Sequence, residues 1–300
     1  MNYCVLTILL VYDIFDVQTV STRTNRSPKY FLHEVYMRIL VNIKCVPDTM
    51  EVVFKTTEHV LDRNRMPFTM NPFDLYALEA AARIKESGSD VRVTALCMGT
   101  ETSKSVLRDA IAICADEAVL IRDDQLTGAD AGLTAQVLAQ AIKRLEEEQG
   151  AFDLILNGFK STDGGTATVP AMIAARLDRS FLASCLSVTE ESADTFRVMQ
   201  DMEQDDRLME VTTPCVLSFT KAAFDVRYPD IARILAAGRM DIRCLQVSDL
   251  FHEEALVRTA AVRSLKLRPV KKSGRVIKGG ADTVSDKLLR ILSEKGLFSA

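Results

Sequence analysis

The chain has 300 residues, 48% of them hydrophobic and 26% charged, with a formal net charge of -4. That composition supplies one sizeable core or two smaller ones, and it offers no bulk positive charge to draw nucleic acid or an anionic membrane to the surface. Any anion has to be held locally. The seven cysteines are dispersed and odd in number, with neither a CxxC pair nor zinc-ligand spacing. They read as reduced core residues of a cytoplasmic protein, and no metal site is expected. The three histidines, His33, His59 and His252, lie far apart and suggest no catalytic base.

Residues 1–36 differ in texture from the remainder of the chain. Their apolar run "CVLTILLV" is too short to span a bilayer and has neither the basic start nor the cleavage signal of a leader. They are predicted to be an atypical extension, with the native chain expected to begin at Met37, where "MRILVNIK" opens as a strand. From there strand-like and helix-like stretches alternate. Strands are predicted over 38–44, 91–99, 117–121 and 152–158, and helices over 72–88, 102–113 and about 130–148. Such alternation specifies an α/β fold over residues 37–247, a mainly parallel sheet flanked by helices, whose ligands bind outside the carboxyl ends of the strands. After a further helix in "TVPAMIAARL" the chain turns to short β-like runs and acidic turns, an antiparallel excursion returning to a core strand at Cys215–Thr220. Residues 248–300 read as a C-terminal arm. It is basic and extended at first, then helical in "SDKLLRILSEKG", whose apolar spacing calls for a surface to pack on.

Three stretches gain interest because each ends a strand or opens a helix: Asn42 to Asp48, "NIKCVPD"; Met70 to Asp74, "MNPFD"; and Gly158 to Pro170, "GFKSTDGGTATVP". They are predicted to converge on one rim. In the last, Gly164 and Gly165 permit backbone angles that gather amide N–H groups around an anion, and the next helix adds its positive end. The same loop serves equally as an ordinary strand-to-helix turn. "NPFD" is accounted for by capping, with Asn71 as N-cap, Pro72 in the first turn and Asp74 favoured there by the helix dipole; contact with a ligand is the alternative. Neither GxGxxG, nor GxxxxGK[ST], nor an SGGxDS loop occurs, which disfavours a dinucleotide dehydrogenase, a P-loop phosphotransferase and a pyrophosphatase-type ATP site.

In order and spacing, "MRILVNIKCVPDT", "MNPFDLYALEAAARIKE", "LRDAIAICADEAVLI" and "DLILNGFKSTDGGTATVPAMIAARL" resemble the β-subunit of electron transfer flavoproteins, over Met37 to about Leu245. The tail is similar to the C-terminal arm of bacterial members. The resemblance implies a nucleotide-binding domain of adenine nucleotide α-hydrolase-like type, non-catalytic in itself. It also implies pairing with an α-subunit that carries the main FAD, and transfer of electrons between dehydrogenases and an acceptor. The β-subunit pocket of that family holds AMP or, in electron-bifurcating members, a second FAD. Matched motif by motif, the pocket consists of Asn42; Asn71, Pro72, Phe73 and Asp74; Cys97; Gly158; and Ser161, Thr162, Asp163, Gly164, Gly165, Thr166, Ala167, Thr168 and Val169.

Departures from the family pattern bear on ligand and partner. "DGGTATVP" stands where many members have a DGDTGQ-like run, and Cys114 replaces the glycine of an MGAD-like turn. "VPDTMEV" resembles the bifurcating members, whereas residues 52–68 lack their TGTL-like run, so AMP and FAD both stay open. Tyr228 and Ile231 match the partner-recognition segment, which implies acyl-CoA dehydrogenase-type or other flavin dehydrogenases as partners; "AAGR" replaces the usual lysines. The alternative from a different class is a stand-alone adenine-nucleotide sensor resembling universal stress proteins, which would not need the arm.

Overall fold

The computed structural model describes residues 37–48, 54–55, 60–61, 66–87, 90–123, 126, 128–192, 194–221, 223–251, 256, 258, 260, 274 and 276–297. The N-terminal extension, most of the segment compared with the TGTL-like run, and most of the basic part of the arm lie outside these residues.

In chain order the strands and helices are β1 (Met37–Ile43), β2 (Cys45–Pro47), β3 (Phe54–Lys55), β4 (Val60–Leu61), β5 (Phe68–Met70), α1 (Pro72–Glu86), β6 (Val91–Gly99), α2 (Lys104–Ile113), β7 (Glu117–Arg122), α3 (Ala131–Gln149) and β8 (Leu154–Gly158). Next come α4 (Val169–Leu177), β9 (Ser180–Ser192), β10 (Thr195–Asp201), β11 (Asp206–Thr212), β12 (Cys215–Phe219), α5 (Ile231–Arg239), β13 (Arg243–Gln246), α6 (Val247–Leu250) and α7 (Ala281–Glu294). The main sheet runs β11-β10-β9-β12-β8-β1-β6-β7-β13. From β13 across to β9 all neighbours are parallel, while β10 and β11 continue the sheet antiparallel. The expected mainly parallel α/β sheet is what forms.

The layering arises from residue alternation in strands that are covered on both faces. In β1, Ile39, Val41 and Ile43 enter one core with Leu78 and Ile84 of α1 and Leu107 of α2. Leu40 points the other way, into a second core with Leu138, Ile142 and Leu145 of α3 and Ile173 of α4. Asp130 starts α3, its carboxylate accepting the Leu133 N–H at 2.9 Å, a cap worth about 1 kcal/mol. The edge strand β11 carries Asp206, Arg207 and Glu210 on a largely exposed surface, charges of the kind that discourage pairing with another edge.

Two local differences from the sequence reading matter. Residues 101–103 form a 3-10 turn before α2 begins at Lys104, so that helix starts two residues later than the periodicity predicts. More usefully, β2 pairs antiparallel with β5, Cys45 opposite Met70 and Pro47 opposite Phe68. These strands are too short to show any periodicity, yet they clamp the segment after β1 against the start of α1.

The strand order reverses beside β1. From β1 the chain builds outward through β6 and β7, then returns to add β8 on the opposite side of β1. The crevice at the carboxyl ends of β1 and β8 is therefore the topological switch point, where open α/β sheets bind their ligands.

Candidate functional site

The rim forms where β1, α1 and the loop after β8 meet. Lys44, the first residue past β1, accepts the Asn71 N–H through its carbonyl at 2.9 Å and donates its own N–H to Asp74 Oδ2 at 2.7 Å. Asn71 serves α1 differently from the expected cap. Its side chain makes no capping hydrogen bond; Nδ2 donates to Asp74 Oδ1 at 2.8 Å and to the Lys160 carbonyl at 3.0 Å, while Oδ1 accepts the Thr162 N–H at 3.3 Å. The demand for partners across the rim outweighs the local cap, so Asn71 binds helix to loop. Pro72 occupies the first turn as predicted.

Asp74 is the buried centre of this junction. Burial pushes its pKa up to about 7, against hydrogen bonds from Asn71, from the Lys44 amide and from the Gly158 amide. Gly158 has to be glycine, because a Cβ there would lie 2.2 Å from Asp74 Oδ1 and 2.8 Å from the carbonyl carbon of Phe73. Outside the junction, the Phe73 ring lies 6.5 Å from that of Phe159, and Lys160 Nζ stands 5.7 Å above it.

The loop between Lys160 and α4 carries small and polar residues, several of them exposed. Gly165 has φ 67° and Ala167 φ 54°, two left-handed residues flanking Thr166 immediately before α4. Chain reversal of this kind turns successive amides toward one side, and the first amides of α4 have no acceptor within the helix. Ser161 stabilises the bend, its carbonyl accepting the Gly165 N–H at 2.9 Å and its hydroxyl the Gly164 N–H at 3.3 Å. The Thr168 hydroxyl donates to that of Thr166 at 3.2 Å. Asp163, an acid that would repel an anion, is turned onto Lys44 Nζ at 2.7 Å. Burial opposes its ionisation, but that ammonium holds its pKa below the usual carboxylate range. Lys44 Nζ also reaches Ser161 Oγ at 3.2 Å. Sequence reasoning did not single out Lys44; the available signal was a lone cation directly after the first strand.

At the switch point, Asn42 of β1 lies beside Asn157 of β8, both buried, with Asn42 Nδ2 donating to Asn157 Oδ1 at 2.8 Å. Asn42 Oδ1 is buried and has no hydrogen-bond partner. Cys97 is placed apart from this pair. It is fully buried in the core under α1 and α2, and burial pushes its thiol up to about 12, so it contributes packing rather than a thiolate. The rim thus brings together Asn71 to Asp74, Gly158 and Ser161 to Val169 with Lys44. Asn42 stands beside Asn157 at the ends of β1 and β8, and Cys97 is buried on the α1 face of the sheet, near Asp74.

Tyr228 and Ile231 belong to a separate surface. Arg227 is bound to α1, donating to the buried Glu79 at 2.8 and 3.1 Å and to Glu86 at 3.0 Å. Burial works against ionisation of Glu79, yet hydrogen bonds from Arg227 and Arg83 hold its pKa below the ordinary value. Beyond this anchor, Asp230 caps α5 through the Arg233 N–H at 2.8 Å. Only Ala237 of the helix is buried. Tyr228 is 97% exposed and Ile231 77%, with Ile234 and Leu235 exposed on the same short helix.

These features define an α/β protein with a polar, small-residue cradle at the switch point of its sheet and a separately anchored apolar surface. The family profile described as the electron transfer flavoprotein domain matches residues 58–250. Among curated proteins the chain is 35% identical over 248 residues to the electron transfer flavoprotein subunit beta of Megasphaera elsdenii, covering 81% of this chain and 92% of that one. It is 34% identical over 268 residues to the caffeyl-CoA reductase-Etf complex subunit CarD of Acetobacterium woodii, covering 87% of this chain and all of the other. It is also 31% identical over 209 residues to protein FixA of Azorhizobium caulinodans, covering 69% and 74% respectively. The chain belongs to the electron transfer flavoprotein β-subunit family, whose members are electron carriers rather than enzymes. Among the described residues, no helix is long and apolar enough to cross a membrane.

Proposed function

We propose that this chain pairs with an electron transfer flavoprotein α-subunit in a cytoplasmic heterodimer and holds an adenine nucleotide, either AMP or the adenylate part of a second FAD, at the switch-point rim. The observation that carries this reading is the left-handed Gly165 and Ala167 opening onto the N-terminus of α4 beside Lys44. The Gly164 and Gly165 amides are taken up by Ser161, so the donors offered to phosphate are the amides from Thr166 into the first turn of α4, with the Thr166 and Thr168 hydroxyls and the Asp163-paired Lys44 alongside. Hydrogen bonds to a charged acceptor contribute about 1.5 to 3 kcal/mol each, more than a helix end alone. In FAD the isoalloxazine supplies the electron-carrying chemistry; the residues here bind and orient. Tyr228, Ile231, Ile234 and Leu235 form the surface offered to a flavin dehydrogenase of acyl-CoA dehydrogenase type or a related class. Membership of the family favours this reading over a stand-alone sensor.

The test is the flavin-to-heterodimer ratio and the mass of the released nucleotide, measured for wild type, Gly165→Ala and Gly165→Asp. Both variants strain the same left-handed residue, and a Cβ there meets open space, so only the aspartate adds repulsion. Nucleotide content is expected to fall severalfold further in Gly165→Asp than in Gly165→Ala. Equal content in the two would reject phosphate binding at this loop. One flavin plus one AMP identifies the ligand as AMP, and two flavins identify it as FAD.

The arm is part of the same proposal. Helix α7 has no buried residue, and Leu288 and Leu289 are about half exposed at 47% and 50%. Ordering such a helix costs roughly 1 to 2 kcal/mol per residue in backbone entropy, which burial of Leu288, Leu289, Ile291 and Leu292 against the α-subunit would offset. Deleting residues 263–300 is expected to weaken the heterodimer by about tenfold or more. A truncated chain with unchanged α-subunit affinity in a titration would remove the arm from the interface.

A further inference from the structure

The buried pair Asn42 and Asn157 has a fixed polarity. Asn157 Nδ2 donates to the Leu217 carbonyl at 3.3 Å and to that of Ile155 at 3.4 Å. Its Oδ1 is thereby turned toward Asn42, whose Nδ2 fills it at 2.8 Å. Reversing the Asn42 amide would set two acceptor oxygens against each other at that distance. Asn42 therefore keeps its Oδ1 as an acceptor, and this atom is buried without a partner in a residue only 8% exposed. Buried acceptors in folded proteins nearly always have a donor. An orphan at the carboxyl end of β1, beside the strand that leads into the loop, is a place where an external donor can supply it.

We infer that Asn42 Oδ1 accepts a hydrogen bond from the exocyclic amine of the bound adenine, making Asn42 the residue that selects a 6-amino over a 6-oxo purine. This rests on the adenine-nucleotide reading of the rim. Phosphates are excluded as the partner, because at neutral pH they offer acceptors only. Among the donors of an adenine nucleotide, the ribose hydroxyls lie next to the phosphates, which the exposed loop and Lys44 would hold. The planar base is the part left to reach the buried end of β1. Hypoxanthine and guanine place an oxygen where adenine has its amine, and that oxygen would face Asn42 Oδ1.

The experiment measures affinities of the full chain, stripped of nucleotide, for AMP, IMP and 2′-deoxy-AMP by calorimetry, in wild type, Asn42→Ala and Asn42→Ser. Wild type is expected to prefer AMP over IMP by roughly ten- to a hundredfold, the range of one buried hydrogen bond and its unpaired counterpart. In either variant the ratio should collapse toward one, while the effect of the missing 2′-hydroxyl stays the same. Equal binding of AMP and IMP by wild type overturns the inference without any variant and leaves the nucleotide reading intact. So does a preference that survives loss of Asn42, or a change confined to 2′-deoxy-AMP. If wild type binds no adenine nucleotide, the nucleotide reading itself fails and the inference falls with it.

Discussion

Gly158→Ala is expected to lower stability by about 3 kcal/mol and, on the proposed reading of the rim, to empty it of nucleotide, a large effect for a single methyl group. The added Cβ would lie 2.2 Å from Asp74 Oδ1 and 2.8 Å from both the carbonyl carbon and the Cβ of Phe73. None of these atoms is the free end of a flexible side chain. Asp74 is held by Lys44 and Asn71, and Phe73 is backbone in the first turn of α1. Relief requires moving the start of the helix, which combines an overpacking cost of roughly 1 to 3 kcal/mol with hydrogen bonds of about 1 kcal/mol each. Gly164→Ala is the control. Its Cβ would approach a rotatable hydroxyl, Ser161 Oγ, at 3.1 Å, and a change below about 1 kcal/mol is expected. Denaturant titration of both variants decides the matter, and equal midpoints would show that the α1 junction yields without cost.

The second large effect is a pH dependence centred on Asp74. Its pKa is raised by burial to about 7, from the ordinary 3.8 taken as its unfolded value. Between these values the folded protein keeps a proton that the unfolded chain has released. The stabilising contribution is therefore fully present below about pH 4 and is lost as pH rises through about 7. At about 1.4 kcal/mol per unit, this amounts to about 4 kcal/mol across the window. Asp74→Asn places an amide hydrogen against one of the donors around the carboxyl, a cost that does not change with pH, and it removes the titration. The wild-type minus variant difference in unfolding free energy should fall by that amount between pH 4 and 8. A flat difference would show that the three hydrogen bonds to the carboxylate outweigh its burial.

The fold was legible because its signals are long. Parallel strands buried on both faces read as continuous aliphatic runs, and α1 and α3 extend over enough turns to show their periodicity. The three stretches at strand ends converge as expected for the same topological reason. What was illegible depends on contacts distant in sequence. Asn71 looked like a cap because "NPFD" satisfies every local capping preference, whereas its side chain answers to Lys160 and Thr162, some ninety residues on. Lys44 was overlooked because its partner Asp163 is equally remote. Cys97 sits at a strand end in the sequence, but strand alternation turns it into the core under α1 and α2. The unpaired oxygen of Asn42 is a property of the folded amide pair and has no trace in residue order.

Helix α1 begins at the rim with Asn71 to Asp74 and carries, further along, Glu79 and Glu86, to which Arg227 and the exposed Tyr228 segment are tied. With 15 residues it is a rod roughly 22 Å long. The proposed nucleotide cradle and the proposed docking face are thus two fittings on one strut. A substitution that displaced its first turn would meet the Arg227 anchor along the helix itself, without passing through the sheet.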